Sequence, residues 1–331
     1  MKRILPAPTA PGLVVAISLL IVMGKGSAQV APVKSGARSP AELREQLAAL
    51  LDQPRFAAAA WGVKIVSLDT GATLFERNAG KLFKPASNAK LFTGALALDR
   101  LGPDFRISTA LYATARPDAR GVVKGDLIVY GRGDPSFAAR FNGGDYTRSL
   151  APLVDALVNA GMKRITGDLV GDESCFRGPP FGSGWAWDDL QYYYGAGASA
   201  LTAEDNVVDL VLEPGACVGD SCRIITKPET AFLTFINRAG TTAAGSSRKI
   251  DLYRPIGERL VYVTGHLPLN SSNYTDAVAV PDPARWFVTL LKDALARRGI
   301  KVEGRVRAAN WIDRELAPVD RGQWVEVAVV R

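Results

Sequence analysis

Ser87 and Lys90 stand three residues apart in the stretch Lys84-Pro85-Ala86-Ser87-Asn88-Ala89-Lys90. At the start of a helix that spacing puts both side chains on one face, within hydrogen-bond reach. A serine hydroxyl is a weak nucleophile at neutral pH. An amine held beside it in a dry pocket, and so stripped of its own proton, can take the proton of the hydroxyl. The chemistry on offer is acyl transfer through a serine ester. Four residues alone carry little weight, because Ser246-Ser247-Arg248-Lys249 has the same spacing. That copy follows Ala-Gly-Ser and leads into a strand-like segment, so it reads as a surface loop. After Lys90, in contrast, Leu91, Ala95, Leu98 and Leu101 recur at helical spacing until Gly102 ends the run. Ser87 is therefore expected at a buried helix N-terminus. The plainer alternative is an N-cap serine beside a solvated first-turn lysine.

The other reactive residue types are sparse. The single histidine, His266, makes any Ser-His-Asp arrangement depend on one strand-end residue. Cys217 and Cys222 flank Val-Gly-Asp-Ser, a tight turn between two strand-like runs, and in an oxidising compartment they are expected to form a hairpin disulfide. A metal or redox pair is the weaker reading, since no further cysteine lies nearby. Cys175 is left over and expected to be buried. No metal site and no organic cofactor are implied.

The compartment follows from the N-terminus. Lys2 and Arg3 precede an apolar run from Gly12 to Met23, and Gly26-Ser27-Ala28 supplies small residues where a signal peptidase cuts. Residues 1–28 read as a secretory signal peptide, with an uncleaved anchor as the alternative. The product is expected to be exported, periplasmic or otherwise extracytoplasmic, with no stable membrane span after cleavage. Removing Lys2, Arg3 and Lys25 leaves 37 basic against 33 acidic residues. That balance decides little. The absence of basic clusters interleaved with aromatics argues against nucleic acid.

Stepwise along the chain, residues 29–38 have linker composition. Ser39-Pro40-Ala41-Glu42 predicts a capped helix with Leu43, Leu47, Leu50 and Leu51 on one face. Trp61 to Ile65 and Ala72 to Glu76 predict a hairpin turning at Asp69-Thr70-Gly71. After Gly102 come short strand-like runs separated by Gly, Asp and Pro, with one helix from Leu150 to Ala160. Gly125-Asp126-Leu127 and Gly167-Asp168-Leu169 echo each other, which suggests two similar β-turn-β units. Trp185, Trp187, Tyr192, Tyr193 and Tyr194 crowd a glycine-rich segment. Packing between inserted domains is favoured there over an aromatic surface for sugar. Asp282-Pro283 opens a strongly periodic helix ended by Gly299, and strands from Lys301 to Arg307 and Trp324 to Val330 follow. The layout is an α/β domain interrupted by a β-rich block: residues 39–103, the block 104–281, and a return over 282–331.

Several motifs in this order resemble the penicillin-binding protein 4-type D-alanyl-D-alanine carboxypeptidases/endopeptidases. They are Phe83 to Lys90, Gly125-Asp126-Leu127, Gly131-x-Gly133-Asp134-Pro135, Ile165-x-Gly167-Asp168-Leu169, Gly184-Trp185-x-Trp187-Asp188-Asp189, Tyr194 to Leu201, and Asp282-Pro283-Ala284. The resemblance implies a penicillin-recognising (β-lactamase-like) α/β domain, with an antiparallel sheet and flanking helices, carrying the β-rich insertion. It implies an acylated nucleophile at Ser87 and its base at Lys90, acting on peptidoglycan stem peptides, with β-lactams as acylating inhibitors. Asp172, in Asp172-Glu173-Ser174-Cys175-Phe176, resembles the inserted segment that contacts the substrate side chain; a strand-end turn carboxylate is the competing reading.

The family's second and third motifs, Ser-x-Asn and Lys-Thr-Gly, are expected beyond residue 331. Ser271-Ser272-Asn273 spells the second but lies in a loop before the Asp282 helix, and Lys34-Ser35-Gly36 precedes the nucleophile. Those motifs supply leaving-group protonation and an oxyanion donor. The chain is accordingly expected to be a fragment, with a firm middle and a loosened Ser87 region. A non-catalytic wall-binding module is the alternative, and a serine β-lactamase fits the long insertion poorly.

Overall fold

The computed structural model describes residues 39–317 and 323–331, so the expected signal peptide and linker lie outside the described residues. By its internal contacts the chain divides into two units, 1–105 and 106–331.

In the first unit, α1 (Pro40–Leu51) starts where Ser39 Oγ accepts the Glu42 amide hydrogen at 3.2 Å, with proline at its first position. A proline there loses no helical hydrogen bond, because that amide would be unpaired anyway. Strands β1 (Val63–Val66) and β2 (Thr73–Arg77) form the expected antiparallel hairpin. Polar ties hold α1 to β2: Arg44 Nε donates to Leu74 O at 2.7 Å, and Arg77 forks onto Asp52. A 3-10 turn, Ala86–Asn88, then leads into α2 (Ala89–Leu101), which Gly102 ends with φ +79°.

The second unit is organised around three copies of one bent strand. The first is β3 (Thr109–Ala113) followed by β4 (Val122–Val123) and β5 (Leu127–Tyr130), of which β4 and β5 are the two halves of the bent strand. Helices α3 (Tyr146–Ser149) and α4 (Ala151–Asn159) cross over to β6 (Arg164–Ile165) and β7 (Leu169–Asp172), the second copy. Then come β8 (Val207–Glu213), β9 (Arg223–Lys227), β10 (Thr234–Thr242), β11 (Lys249–Tyr253), β12 (Leu260–Pro268) and β13 (Tyr274–Ala279). Helix α5 (Pro283–Arg297) crosses to the third copy, β14 (Lys301–Val302) and β15 (Val306–Ala309). A short α6 (Trp311–Leu316) and β16 (Val325–Val330) follow.

The three copies run parallel. β6 pairs with both β4 and β14, and β7 with both β5 and β15; β3 and β16 extend the second sheet antiparallel, in the order β15-β7-β5-β3-β16. At each bend a glycine sits against the next: Gly167 N donates to Gly125 O at 2.9 Å and Gly304 N to Gly167 O at 3.0 Å. A β-carbon on Gly167 would overlap the Gly125 carbonyl, and one on Gly304 the Gly167 carbonyl. Gly125 itself has φ +92°, which L side chains rarely adopt. The aspartates after the glycines repeat the pattern. Asp126 Oδ1 accepts from Asp168 N and Asp168 Oδ1 from Arg305 N, both at 2.8 Å, and Arg307 then bonds both carboxylates. The Arg305 amide, and next the Arg307 guanidinium, hold the Asp168 carboxyl below the ordinary range.

Helix α5 lies on β7 and β15 and supplies the centre of the core. Trp286, Phe287 and Leu291 are fully buried, Trp286 Nε1 donates to Ala203 O at 3.2 Å, and Phe137 meets Phe287 edge to face. Two three-stranded sheets, β13-β8-β9 and β10-β12-β11, complete the unit. The segment 282–331, expected to rejoin the Ser87 part, instead belongs to the sheets of this second unit. The physical reason is the parallel register of its strands with β6 and β7, which buries Ile300, Val302 and Ala309. No described helix is long and apolar enough to cross a membrane.

Candidate active site

The hairpin delivers the chain to Ser87 through a braced loop. Asn78 Nδ2 donates to Trp61 O at 2.8 Å, and Trp61 meets Phe56 edge to face at 5.3 Å. The Phe83 ring lies directly on Gly62, where any β-carbon would overlap it. Ala86 then takes φ +45°, a left-handed conformation costly for a residue with a β-carbon. Such local strain concentrates at functional sites, and nothing in the residue type alanine announced it. Asn88 N closes the turn onto Pro85 O at 2.9 Å, and Lys90 Nζ donates to Ser87 Oγ at 2.9 Å. The sequence-predicted pair is thus brought together. The arrangement can pass a proton between hydroxyl and amine without any further group.

The surroundings differ from expectation. Ser87 and Lys90 are exposed, and so is the apolar face of α2: Leu91 is 68% exposed and Leu98 62%. Within its unit the hairpin is covered by α1, and the chief neighbour of α2 is its own leading turn. The buried helix N-terminus expected from the Leu91, Ala95, Leu98 and Leu101 spacing is therefore not formed by the described residues of this unit.

Asp172 ends β7 in the second unit and is wholly buried. Its Oδ2 accepts from Arg314 Nε and its Oδ1 from Ser174 N, both at 3.0 Å. In this arrangement Asp172 makes a buried ion pair that fastens α6 to β7. Its partner lies 142 positions along the chain, out of reach of any local reading. Next to it, burial pushes the Glu173 carboxyl up, aided by the charges of Asp282, Asp172 and Asp313, while Ser199 Oγ donates to Glu173 Oε2 at 2.5 Å.

Cys217 and Cys222 do not form the expected disulfide. Cys222 is buried with Sγ turned to Gly240 O at 3.3 Å, whereas Cys217 sits in an exposed turn where its amide donates to Asp220 Oδ2. The β8–β9 register pairs Glu213 with Arg223, so the strand pair closes before Cys217 and leaves only Cys222 facing inward. Cys175 is exposed, against expectation. Ser271-Ser272-Asn273 lies between β12 and β13, where Asn273 Nδ2 donates to Glu213 Oε1 at 3.1 Å. Among the described residues no group of three or more metal-ligating side chains is assembled.

The aromatic segment also differs. It was expected to pack between inserted domains; it is a series of 3-10 turns in which Trp187, Tyr193 and Tyr194 are 68, 66 and 56% exposed.

A family model described as the D-Ala-D-Ala carboxypeptidase 3 (S13) family matches residues 43–317. The D-alanyl-D-alanine carboxypeptidase of Actinomadura sp. (strain R39) is 32% identical over 338 residues, covering 96% of this chain and 61% of that protein. Penicillin-sensitive carboxypeptidase A of Dictyostelium discoideum is 26% identical over 268 residues, covering 73% of this chain and 48% of that protein. The crystal structure of penicillin binding protein 4 from Haemophilus influenzae superposes with a TM-score of 0.65 at 23% identity, covering 81% of this chain and 55% of that one. The mixed α/β fold is that of this structure. The chain spans between about half and three-fifths of the length of these relatives.

Proposed function

The chain belongs to the D-Ala-D-Ala carboxypeptidase 3 (S13) family, and from that premise we propose that it carries the nucleophile of a serine carboxypeptidase/endopeptidase acting on peptidoglycan stem peptides outside the cytoplasm. The observation that carries the proposal is the 2.9 Å contact between Lys90 Nζ and Ser87 Oγ at the strained entrance to α2. In the proposed reaction Ser87 Oγ attacks the carbonyl carbon of the D-Ala–D-Ala bond while its proton passes to Lys90 Nζ. The C–N bond breaks, D-alanine leaves as the amine with that proton, and water then hydrolyses the Ser87 ester. A β-lactam would acylate the same oxygen. The Dictyostelium relative's description as penicillin-sensitive supports that reading, and the Lys2, Arg3 and Gly12–Met23 pattern supports export.

The exposure of Lys90 favours a second reading, a wall-binding module without turnover. The protein should form a stable adduct with a fluorescent penicillin, lost in Ser87→Ala. Label that persists in Ser87→Ala overturns the nucleophile. A protein that never labels supports the module.

A further inference from the structure

The exposed aromatics of the second unit border a small cleft. It measures about 150 Å³ and lies between the 3-10 turn Trp187–Gln191 and the end of β11, lined by Trp187, Asp188, Gln191, Tyr253, Arg254 and Ile256 among others. Its floor is fixed and its rim is uncommitted. Arg254 is only 6% exposed, and its Nη atoms donate to Leu190 O, Pro255 O and Glu258 O, while Nε has no partner among the described residues. Burial, with no charged partner among the described residues to offset it, pushes its guanidinium below the ordinary arginine range. Gln191 Oε1 accepts from the Arg254 amide at 2.9 Å, which orients the side-chain amide and leaves its N–H groups for another partner. On the rim Trp187 is 68% exposed, Tyr253 51% and Ile256 61%. Tyr253 stacks on Tyr262 at 6.2 Å, so its ring is held in place.

Planar aromatic faces beside a few directed polar groups are the recognition chemistry of a flat ligand with one apolar face and a polar edge. A pyranose ring has that shape: axial C–H groups on a face, hydroxyls and an acetamido group around the edge. The volume is well below the roughly 300 to 1,000 Å³ that encloses a free small ligand. It suits one unit of a polymer lying across the surface. Exposed aromatics of this size without a protein partner also mark interaction surfaces.

We propose that this cleft binds one amino-sugar unit of a glycan strand, stacked on Trp187 and Tyr253 and hydrogen-bonded at its edge by Asp188 and Gln191 over the buried Arg254 charge. It is a site separate from Ser87. It rests on the wall-polymer reading only for the identity of the glycan.

The test uses the 331-residue chain and a peptide-free disaccharide of N-acetylglucosamine and N-acetylmuramic acid, followed by calorimetry and tryptophan fluorescence. Saturable binding is expected at an affinity on the order of 1 mM, with about tenfold weakening in Trp187→Ala and in Tyr253→Ala. Both side chains are exposed, so the variants should melt where the parent does. Ser87→Ala should bind the sugar unchanged, and penicillin labelling needs no sugar, so the two readings fail separately. Absence of saturation, binding by either aromatic variant as tight as the parent's, or displacement of the sugar by a D-Ala-D-Ala tripeptide would each overturn the proposal, the last by pointing to a peptide groove.

Discussion

Residues 39–105 and 106–331 obey different physics. In the first unit Phe75 is the one buried side chain among the described residues, and what joins α1 to the hairpin is polar: Arg44 on Leu74 O, Arg77 on Asp52. Surface pairs of that kind contribute at most about 1 kcal/mol each. The second unit interleaves α5 with six parallel half-strands and buries Trp286, Phe287, Leu111 and Leu169 completely. Geometry that must be exact, the Ser87–Lys90 pair, thus sits on the less buried part of the chain. The difference teaches that the local turn, and not a core, sets the 2.9 Å contact: Ala86 at φ +45° and the Phe83 ring on Gly62 do the positioning.

The comparison breaks first at its extremes. Trp286→Ala should cost the second unit about 3 to 5 kcal/mol, and Leu98→Ala in α2 should stay within about 0.5 kcal/mol, both measured by urea unfolding. Equal costs would mean that α2 is as firmly packed as α5. A sharper cut comes from Asp172→Asn, which leaves Arg314 unpaired beside β7 and should lose about 3 kcal/mol. If stability is unchanged and only turnover of stem peptide falls, Asp172 touches substrate after all.

A pH-dependent difference rests on Glu173. Burial holds its carboxyl above the ordinary glutamate range, so between the unfolded and folded values the folded state binds more protons than the unfolded one. Stability is then highest below the unfolded value and declines as pH rises through the folded one. Glu173→Gln should flatten that decline and stabilise the fold on the neutral side, read from melting temperatures across the acidic-to-neutral range. An unchanged slope would assign the pH dependence to the buried carboxyls of Asp282 or Glu204, which burial also raises.

Legibility in the sequence followed the range of the interaction. The Ser87–Lys90 pair, the hairpin and α5 were readable because each depends on residues within one helical turn or one strand. The third bent strand was not. Val302-Glu303-Gly304-Arg305-Val306 repeats Ile165-Thr166-Gly167-Asp168-Leu169, but arginine stands where the first two copies have aspartate. Only the parallel register reveals the equivalence, and with it why the last fifty residues stay with the second unit. A search for apolar-x-Gly-x-apolar, blind to charge, would have found it. The ion pair of Asp172 and the inward turn of Cys222 were illegible for the same reason, since Arg314 and Gly240 are set against them by folding alone.

The glycine column at the three bends has a consequence for how this protein can change over generations. Most single-base changes in a glycine codon introduce a β-carbon. At Gly167 and Gly304 that atom meets a neighbouring carbonyl, and at Gly125 the backbone angle excludes it. A substitution at one bend cannot be relieved by a second at the next, because each occupies space its neighbour also lacks. The three copies therefore have no freedom to differ at these positions, whereas the next position holds aspartate in two copies and arginine in the third. In a saturation library, 125, 167 and 304 should stand out as an intolerant triplet spaced far apart in sequence.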